Sequence, residues 1–538
     1  MFAPAGSKGA FGQLPDHNRL RKFPVTVPRT LFSNRPATNL VPLGDLPRRL
    51  AEAEPDRTVL SFGDTLWTRL AFAEAVERRA TRLIREGVVA GDFVTVTLPT
   101  GPEVHITCFA IWMLGATPAP LSPKLPAAEF DVLVNLAAPR LVIGSSAGMI
   151  AGRPVITVDA EKEKMLPMHK APAIAAQSWK VMTSGGSTGR PKLIVDTRPA
   201  LVDPEVTSLG IEVGDTVLSP APVHHNAPFS FSHWVIAWGG HIIEMERFDP
   251  AETLRLVELH RVRWLYLVPT MMSRIWALPE AVRASFDLSS LEAVVHMAAP
   301  CPSWLKRNWI DWLGPDRILE VYAGTESVGA CTITGREWLN HPGSVGQPQV
   351  PESICILDDA LQPLPPNEIG AIYFRSPPNR TSNYRYVGSK SAAIDGWETY
   401  GDMGSLDADG FLYLADRRSD MIISGGVNVW PAEIEAALEA YPAITTAVVV
   451  GLPHDDLGQT PHAILELVPG MDPPIPDDLV TFLAARLALN KHPRTIEISA
   501  QPLRDEAGKT RRSAWRDRTI KLLEAGGRLE ILRSAIRF

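Results

Sequence analysis

The sequence predicts an α/β protein: a large N-terminal domain of mixed, largely parallel sheets flanked by helices plus a β-barrel-like region, then a small α+β domain. Three observations predict it. From Leu46 to about residue 345, strand-like apolar runs alternate with helically spaced ones, as parallel sheets with helical crossovers require. Short strands joined by turns such as Asp407-Ala-Asp-Gly410 then follow, which suits antiparallel pairing. A charged run at Arg417–Ser419 precedes a second apolar stretch, and there a boundary is expected. The expected domains are 1–418 and 419–538.

Each element rests on its own pattern. Residues 1 to about 45 are rich in Pro, Arg and Asn and predict an irregular arm. Phe72, Ala75, Val76, Ala80 and Leu83 are spaced for a helix over Phe72–Glu86. Val94–Leu98 predicts a buried strand, Val104–Leu114 a helix, and Leu141–Gly144 and Val155–Val158 further strands. Thr253–His260 (helix), Trp264–Val268 and Leu291–Met297 (strands) continue the rhythm. Ser353–Leu357, Ala371–Arg375 and Phe411–Ala415 predict the short strands. In the last domain Pro431 opens a helix to Glu439, proline being suited to a first helical turn. Thr446–Gly451 and Ala463–Val468 predict strands, Asp477–Leu489 an amphipathic helix, and the basic tail from Ser513 a packed helix rather than a membrane anchor.

Composition narrows the function. The chain has 538 residues, 45% hydrophobic and 21% charged, with a net charge of −7. That is ordinary for a globular protein and argues against nucleic-acid binding, which needs a basic surface. Four scattered cysteines lack the spacing of a disulfide framework or zinc site. The N-terminus lacks a secretory pattern, and the longest apolar run, Phe109–Leu121, is broken by Gly115, Pro118 and Pro120. A cytoplasmic location is the default expectation.

The chemistry is concentrated in a few motifs. Thr183-Ser-Gly-Gly-Ser-Thr-Gly-Arg-Pro-Lys192 lies between a probable-strand pattern at Ser178–Met182 and another at Leu193–Val195. Backbone N–H groups in a glycine-rich turn form a concavity that suits anions. The hydroxyls of Thr183, Ser184, Ser187 and Thr188 add donors, Gly185 and Gly186 permit close approach, and Lys192 adds charge. A plain serine-glycine surface hairpin is the competing reading. The loop is not of the Gly-Lys-Ser/Thr kind, because Arg190 and Pro191 separate the last glycine from the lysine.

With Tyr322-Ala-Gly-Thr-Glu326, Tyr400-Gly-Asp402, the long segment Asp416–Glu435 and Gly508-Lys509, this loop resembles the signature of the adenylate-forming superfamily. That superfamily includes acyl-CoA synthetases, luciferases and peptide-synthetase adenylation domains; the chain is most like an acyl-CoA ligase. The resemblance covers about residues 50 to 515. It implies that Tyr322 stacks on adenine, Thr325 contacts the α-phosphate and Glu326 holds Mg²⁺. Asp402 would hold the ribose hydroxyls, Arg417 would contact the ribose or phosphate, and Lys509 would be the catalytic lysine. Ala323 replaces a usual glycine, with Gly324 one place later; Tyr400 replaces a threonine and Leu503 a proline.

The resemblance further implies a mobile C-terminal lid that rotates about Ser419, with Gly425 and Gly426 lining a CoA tunnel. In Pro220–Phe229, His225 aligns with a histidine that gates the acyl pocket and takes part in catalysis. His224 and His225 are expected to point apart, as neighbours on an extended segment do, and metal is discounted there. His225, Phe229, Trp234, Ala298 and Gly324 are expected to line the acyl pocket. Trp234 and Trp238 stand one helical turn apart with Phe231 before them, a stripe that reads as core or as pocket wall. Ser230 stands where an amino-acid-activating relative carries Asp, which argues against an amino-acid substrate.

The implied reaction joins a carboxylic acid to ATP, releasing pyrophosphate, then to CoA, releasing AMP. ATP, Mg²⁺ and CoA are the expected small molecules. The acid is expected to be hydrophobic, and a bulky ring-bearing acid fits an aromatic-lined pocket. Loading of a separate carrier protein is the alternative, a degenerate nucleotide-binding regulator a third reading. No membrane span and a monomer or homodimer are expected.

Overall fold

A computed structural model describes residues 36–184, 192–350, 353–375, 382–389, 391, 393, 396–417, 420–424, 427–454, 457–505 and 508–531. The fold is organised by a nine-stranded sheet. Its middle runs in the order Ile318–Ala323, Ala293–Met297, Trp264–Leu267, Thr216–Ser219, His241–Glu244, Thr58–Phe62, and every neighbouring pair in that series is parallel. Antiparallel strands close both edges, Thr65–Thr68 on one side, Ala330–Thr334 and Gln347–Pro348 on the other. Strands such as Trp264–Leu267 are buried along their whole length, as a sheet covered on both faces demands.

A second sheet of five strands contains the parallel set Thr117–Pro120, Phe93–Val96, Leu141–Gly144 and Arg153–Thr157. One core joins the two sheets through the helices Arg69–Arg85 and Pro102–Met113. Phe72, Val76, Phe109 and Trp112 pack there with Leu60, Ile242 and Trp264. The first helix is capped by the Thr68 side chain, which accepts from the Ala71 N–H. The second buries its whole circumference after Val104, so no amphipathic stripe marks it.

An antiparallel sheet of Ile354–Leu357, Gly370–Arg375, Asp402–Leu406 and Leu412–Arg417 occupies the region expected to be barrel-like. A separate core of Ile422, Val429, Ile434, Leu438, Ala447, Val449, Leu479 and Leu483 holds the C-terminal α+β unit. There Pro431–Glu439 packs on the long hairpin Ile444–His454 and Gly458–Leu467. The tail folds as the helix Arg512–Glu524.

Three expectations shift. The strand expected at Ser178–Met182 is Val181–Ser184, because its hairpin partner Lys192–Asp196 pairs as far as Ser184. The helix expected to reach Leu489 ends at Ala484, and Leu489–Lys491 forms a separate 3-10 turn. Arg417 belongs to the strand Leu412–Arg417 rather than to a linker, since its backbone pairs with Asp402. Among the described residues no helix is long and apolar enough to cross a membrane.

Candidate active site

Four neighbouring parallel strands end on the same edge of the main sheet, and each is followed by a segment with a candidate residue. Ser219 leads to His225, Leu267 to Val268–Thr270, Met297 to Ala298, and Ala323 to Thr325 and Glu326. Ligands of open α/β sheets bind outside the carboxyl ends of strands because the loops there converge. Ala298 lies exposed just beyond its strand with φ 77°, an unfavourable conformation for a residue with a Cβ.

The phosphate end is assembled by three segments. Thr183 and Lys192 flank the glycine-rich loop on paired strands, with Ser184 opposite Lys192. Gly185, Gly186, Ser187 and Thr188 lie outside the described residues. Lys192 Nζ sits 3.8 Å from the centroid of the Tyr386 ring, and the Tyr386 hydroxyl donates to Glu326 Oε1 at 2.7 Å. Burial, then the Glu326 charge, pushes the Tyr386 phenol well above its ordinary range, so it stays a donor. A half-buried carboxylate with one oxygen occupied suits Mg²⁺, which keeps several waters and takes its other ligands from phosphates. The His341, Asp407 and Asp409 cluster, the one group of three metal-type side chains among the described residues, lies at the Asp407–Gly410 turn.

The nucleoside end is built around the turn after Ile318–Ala323. The Tyr322 hydroxyl donates to Asp402 Oδ2 at 2.7 Å, and Asp402 lies opposite Arg417 in the antiparallel pair. The two expected ribose residues are thus backbone partners. Burial and then Asp402 hold the Tyr322 phenol well above its usual range. Behind the turn stands Tyr400, whose hydroxyl donates to Gly329 O at 2.7 Å and accepts from Val328 N at 3.1 Å and Gly329 N at 3.3 Å. Its ring covers Gly324, where a Cβ would lie 2.2 Å from Tyr400 Cε1. Gly324, expected in the acyl pocket, is packed under this ring. The two departures at 324 and 400 therefore fit each other: the larger ring occupies the space that glycine leaves.

On the acyl side, His224 and His225 do not point apart. They sit in a turn in which His225 N–H bonds to Pro222 O at 3.2 Å, and their ring centroids are 4.6 Å apart. His225 precedes the helix Asn226–Ala237; burial, then His224 and Lys509, pull its pKa down to about 3, so its ring is neutral at physiological pH. Phe229 is fully buried against Trp112, Trp179 and His233. Phe231 and Trp238 are core, whereas half-buried Trp234 stacks on Trp179 with centroids 5.6 Å apart. The helix is pinned by Ser232, which donates to buried Glu244 at 3.0 Å.

Lys180 is a residue no sequence motif flagged. It is 3% exposed, and Nζ donates to Asn226 Oδ1 at 2.5 Å and Ser230 Oγ at 2.7 Å. It also lies 4.2 Å from the Trp179 ring. Burial pushes its pKa down to about 7, opposed by Asp196 and assisted by Arg198. Tyr386 and Tyr400 were likewise missed as site residues; tyrosines facing candidate motifs leave no signal in linear spacing.

The lid meets this edge through the Asp505–Lys509 turn. Gly508 N–H donates to Asp505 O at 2.9 Å, and Lys509 N–H to Asp505 Oδ1 at 2.9 Å. Gly508 has φ +74° and lies against Val268 and Thr270, a position that glycine alone meets without strain. The Lys509 charge is the smallest of the three influences that lower the His225 pKa. Leu503, where proline was expected, donates its N–H to Glu466 Oε2 at 3.1 Å, a bond proline lacks the hydrogen to make. Arg511 pairs with Glu129 of the body at 3.2 Å. A cavity of about 280 Å³ between the two units is bounded by Pro269, Thr270 and Arg274 on one side and Glu466, Arg504 and Asp505 on the other. Ser419, Gly425 and Gly426 lie outside the described residues, as does the Arg417 side chain.

Two outcomes follow from this packing. Gly324→Ala should destabilise the protein by about 1–3 kcal/mol through overpacking, and combining it with Tyr400→Thr should cost less than the two single losses added. Thermal melts of the four proteins measure this, and strict additivity would show that the ring does not fill the glycine's space. For Lys180, both states carry the proton below pH about 7, and only the unfolded chain carries it from there toward 10.5. Stability should therefore rise with pH above about 7, by up to about 1.4 kcal/mol per unit on this account. Lys180→Met should flatten the profile between pH 7 and 9 in pH-dependent unfolding.

Sequence comparison agrees with the geometry. Residues 47–384 match the family described as AMP-binding enzyme, and residues 433–509 match the AMP-binding enzyme C-terminal domain. The chain is 31% identical over 475 residues to a feruloyl-CoA synthase of an Amycolatopsis species, covering 85% of this chain and 95% of the relative. It is 28% identical over 509 residues to a methyl-dioxo-octahydroindenyl-propanoyl:CoA ligase of Mycobacterium tuberculosis, covering 87% and 97%. Among solved structures it is similar to the o-succinylbenzoate CoA synthetase of Bacillus subtilis in complex with its acyl-adenylate, at 25% identity and a TM-score of 0.75, covering 89% of this chain and 99% of that one. The same enzyme has been solved with ATP and magnesium ion, at a TM-score of 0.74, 25% identity and 87% and 98% coverage. With both the main and the C-terminal patterns present in order on one chain, this protein belongs to the AMP-binding enzyme family.

Proposed function

We propose that this chain is an ATP-dependent carboxylic acid:CoA ligase acting on a bulky, ring-bearing acid. One observation carries the reading: the Asp505–Lys509 turn packs through Gly508 against Val268 and Thr270, on the strand edge that also bears His225, Thr325 and Glu326. A carboxylate oxygen of the acid attacks the α-phosphorus of ATP, and the bond to the bridging oxygen breaks to release pyrophosphate. Lys509 neutralises charge building on the α-phosphate oxygens, and Thr325 donates to one of them. Such a transfer depends on positioning and charge stabilisation. Glu326 would hold Mg²⁺, which supplies further charge neutralisation for the departing phosphates. Lys192 and the glycine-rich loop escort those phosphates, while Asp402, Tyr322 and Arg417 hold the nucleoside.

In the second half the CoA sulfur attacks the acyl carbon, and AMP leaves with the bonding electrons. Lys509 and its turn would have to withdraw for the thiol to enter, which is the reason for a lid that rotates about Ser419 and presents Gly425 and Gly426. Neutral His225, at the head of the acyl helix, carries no charge that would lose its hydration beside an apolar acyl chain. CoA is favoured as acceptor because the relatives compared above are each named for it; carrier-protein loading has no such support.

The ring-bearing character is supported by half-buried Trp234 of the helix expected to border the acyl site, stacked on Trp179, and by relatives named for acids that carry rings. Ser230 bonds the buried Lys180 amine, an unfavourable neighbour for the ammonium group of an amino acid.

A panel of ferulate, o-succinylbenzoate, a bicyclic propanoate, linear fatty acids and amino acids, with Mg-ATP and with or without CoA, tests the reading. AMP and thioester should accumulate only with CoA and a ring-bearing acid. Preference for linear fatty acids would sink the ring assignment, and pyrophosphate release without thioester in the presence of CoA would sink the ligase assignment. Lys509→Ala should slow pyrophosphate release about a hundredfold or more yet convert supplied acyl-adenylate to thioester; equal loss of both halves would contradict its role.

A further inference from the structure

We propose that Tyr386 is a positioning residue for the metal-binding carboxylate, fixing Glu326 so that one oxygen is committed to the tyrosine and the other is aimed at the metal. The inference rests on the ligase reading of this site and adds to it a residue that no motif contains. It begins with the hairpin that carries the phosphate loop. The strand Lys192–Asp196 pairs on its free side with Tyr384–Val387, with Tyr386 opposite Ile194. Side chains alternate along a strand, so Lys192 shares a face with Ile194. Lys192 and Tyr386 are therefore diagonal neighbours across an antiparallel pair, within reach for long and aromatic side chains.

That register lays the Lys192 amine on the Tyr386 ring, 3.8 Å from its centroid. A cation over an aromatic face is held by the ring's quadrupole without being neutralised. The opposite end of the same side chain reaches the turn after Ile318–Ala323, where the hydroxyl meets Glu326 Oε1 at 2.7 Å. One residue thus touches both the phosphate-loop cation and the metal carboxylate with different atoms.

The contact is more than casual packing. The segment leading into this strand is tied to the same turn at a second point, by Asn383 Nδ2 donating to Ser327 O at 2.8 Å. Tyr384 packs edge-on against Tyr386 at 4.9 Å and is itself held by a hydroxyl contact to Ser391 at 2.9 Å. A carboxylate has two oxygens that accept hydrogen bonds; a donor fixed on one selects the rotamer that presents the other. Partners that orient a ligating carboxylate typically alter metal affinity by 10–100-fold when removed.

The test reads binding rather than turnover. ATP is titrated into the full chain by calorimetry, without acid or CoA, in EDTA and across a Mg²⁺ series. Tyr386→Phe keeps the ring under Lys192 and loses the hydroxyl. It should bind ATP in EDTA like the wild type, while the Mg²⁺ concentration needed for half of the metal-dependent gain rises about tenfold or more. In a Glu326→Gln background, Tyr386→Phe should add nothing further.

An unchanged Mg²⁺ response in folded Tyr386→Phe, or an additive effect on Glu326→Gln, would overturn the proposal. Should Tyr386→Phe fold poorly, Tyr386→His, which keeps a ring donor, must retain more of the Mg²⁺ response than Tyr386→Leu; the reverse order would equally overturn it. Failure of the wild type to bind ATP under either condition would instead overturn the ligase reading, a separate result.

Discussion

The site depends on one turn, Gly324 to Gly329, being held still before any ligand arrives. It carries the residues expected to meet the α-phosphate and the metal, and it follows a strand whose partner runs back antiparallel. A short turn of this kind would ordinarily be loose. Here Ser327 adopts φ 54°, a conformation costing of order 1–3 kcal/mol that persists only when its surroundings impose it. They do: the Tyr400 hydroxyl holds three backbone groups of Val328 and Gly329, and Asn383 holds Ser327 O. A donor set fixed in advance spends no binding energy on its own ordering.

The same constraint explains why the body and the lid meet where they do. The strand edge presents His225, Val268 and Thr270, and Glu326 side by side, and the Asp505–Lys509 turn meets it through Gly508. The turn is rigid because Asp505 binds both the Gly508 and Lys509 N–H groups. The contact that closes the lid from the outside, Arg511 with Glu129, has its arginine 58% exposed, and exposed pairs of this kind contribute about 0–1 kcal/mol. In the proposed two-step reaction, a weak latch here lets the C-terminal unit reopen.

Much of this was legible in the sequence, and the rest was hidden for physical reasons. Strands and helices were read within a few residues because their periodicity is local: Leu141–Gly144 and Pro431–Glu439 match their expected bounds. The pairing of Asp402 with Arg417 and of Tyr386 with the phosphate-loop strand depends on sheet register, which no local pattern encodes. Tyr400 looked like an oddity beside a family threonine, and Ala323-Gly324 like another; only their contact shows them as one adjustment. The histidine pair misled because an extended segment was assumed where proline-rich chain turns before a helix. Lys180 escaped because a single lysine just before an apolar strand signals nothing until its burial between Asn226, Ser230 and Trp179 is seen.

On the proposed reading, the arrangement with the Asp505–Lys509 turn against Val268 and Thr270 makes the adenylate and cannot make the thioester. This is tested most directly by fastening the lid there: Glu129→Cys and Arg511→Cys, with Cys301 and Cys355 changed to serine, bridged by a short bis-maleimide that CoA cannot reduce. With Mg-ATP, CoA and an acid that the unbridged protein turns over, the account predicts one equivalent of pyrophosphate per enzyme and no acyl-CoA. Sustained thioester formation by the bridged protein at the unbridged rate would contradict it.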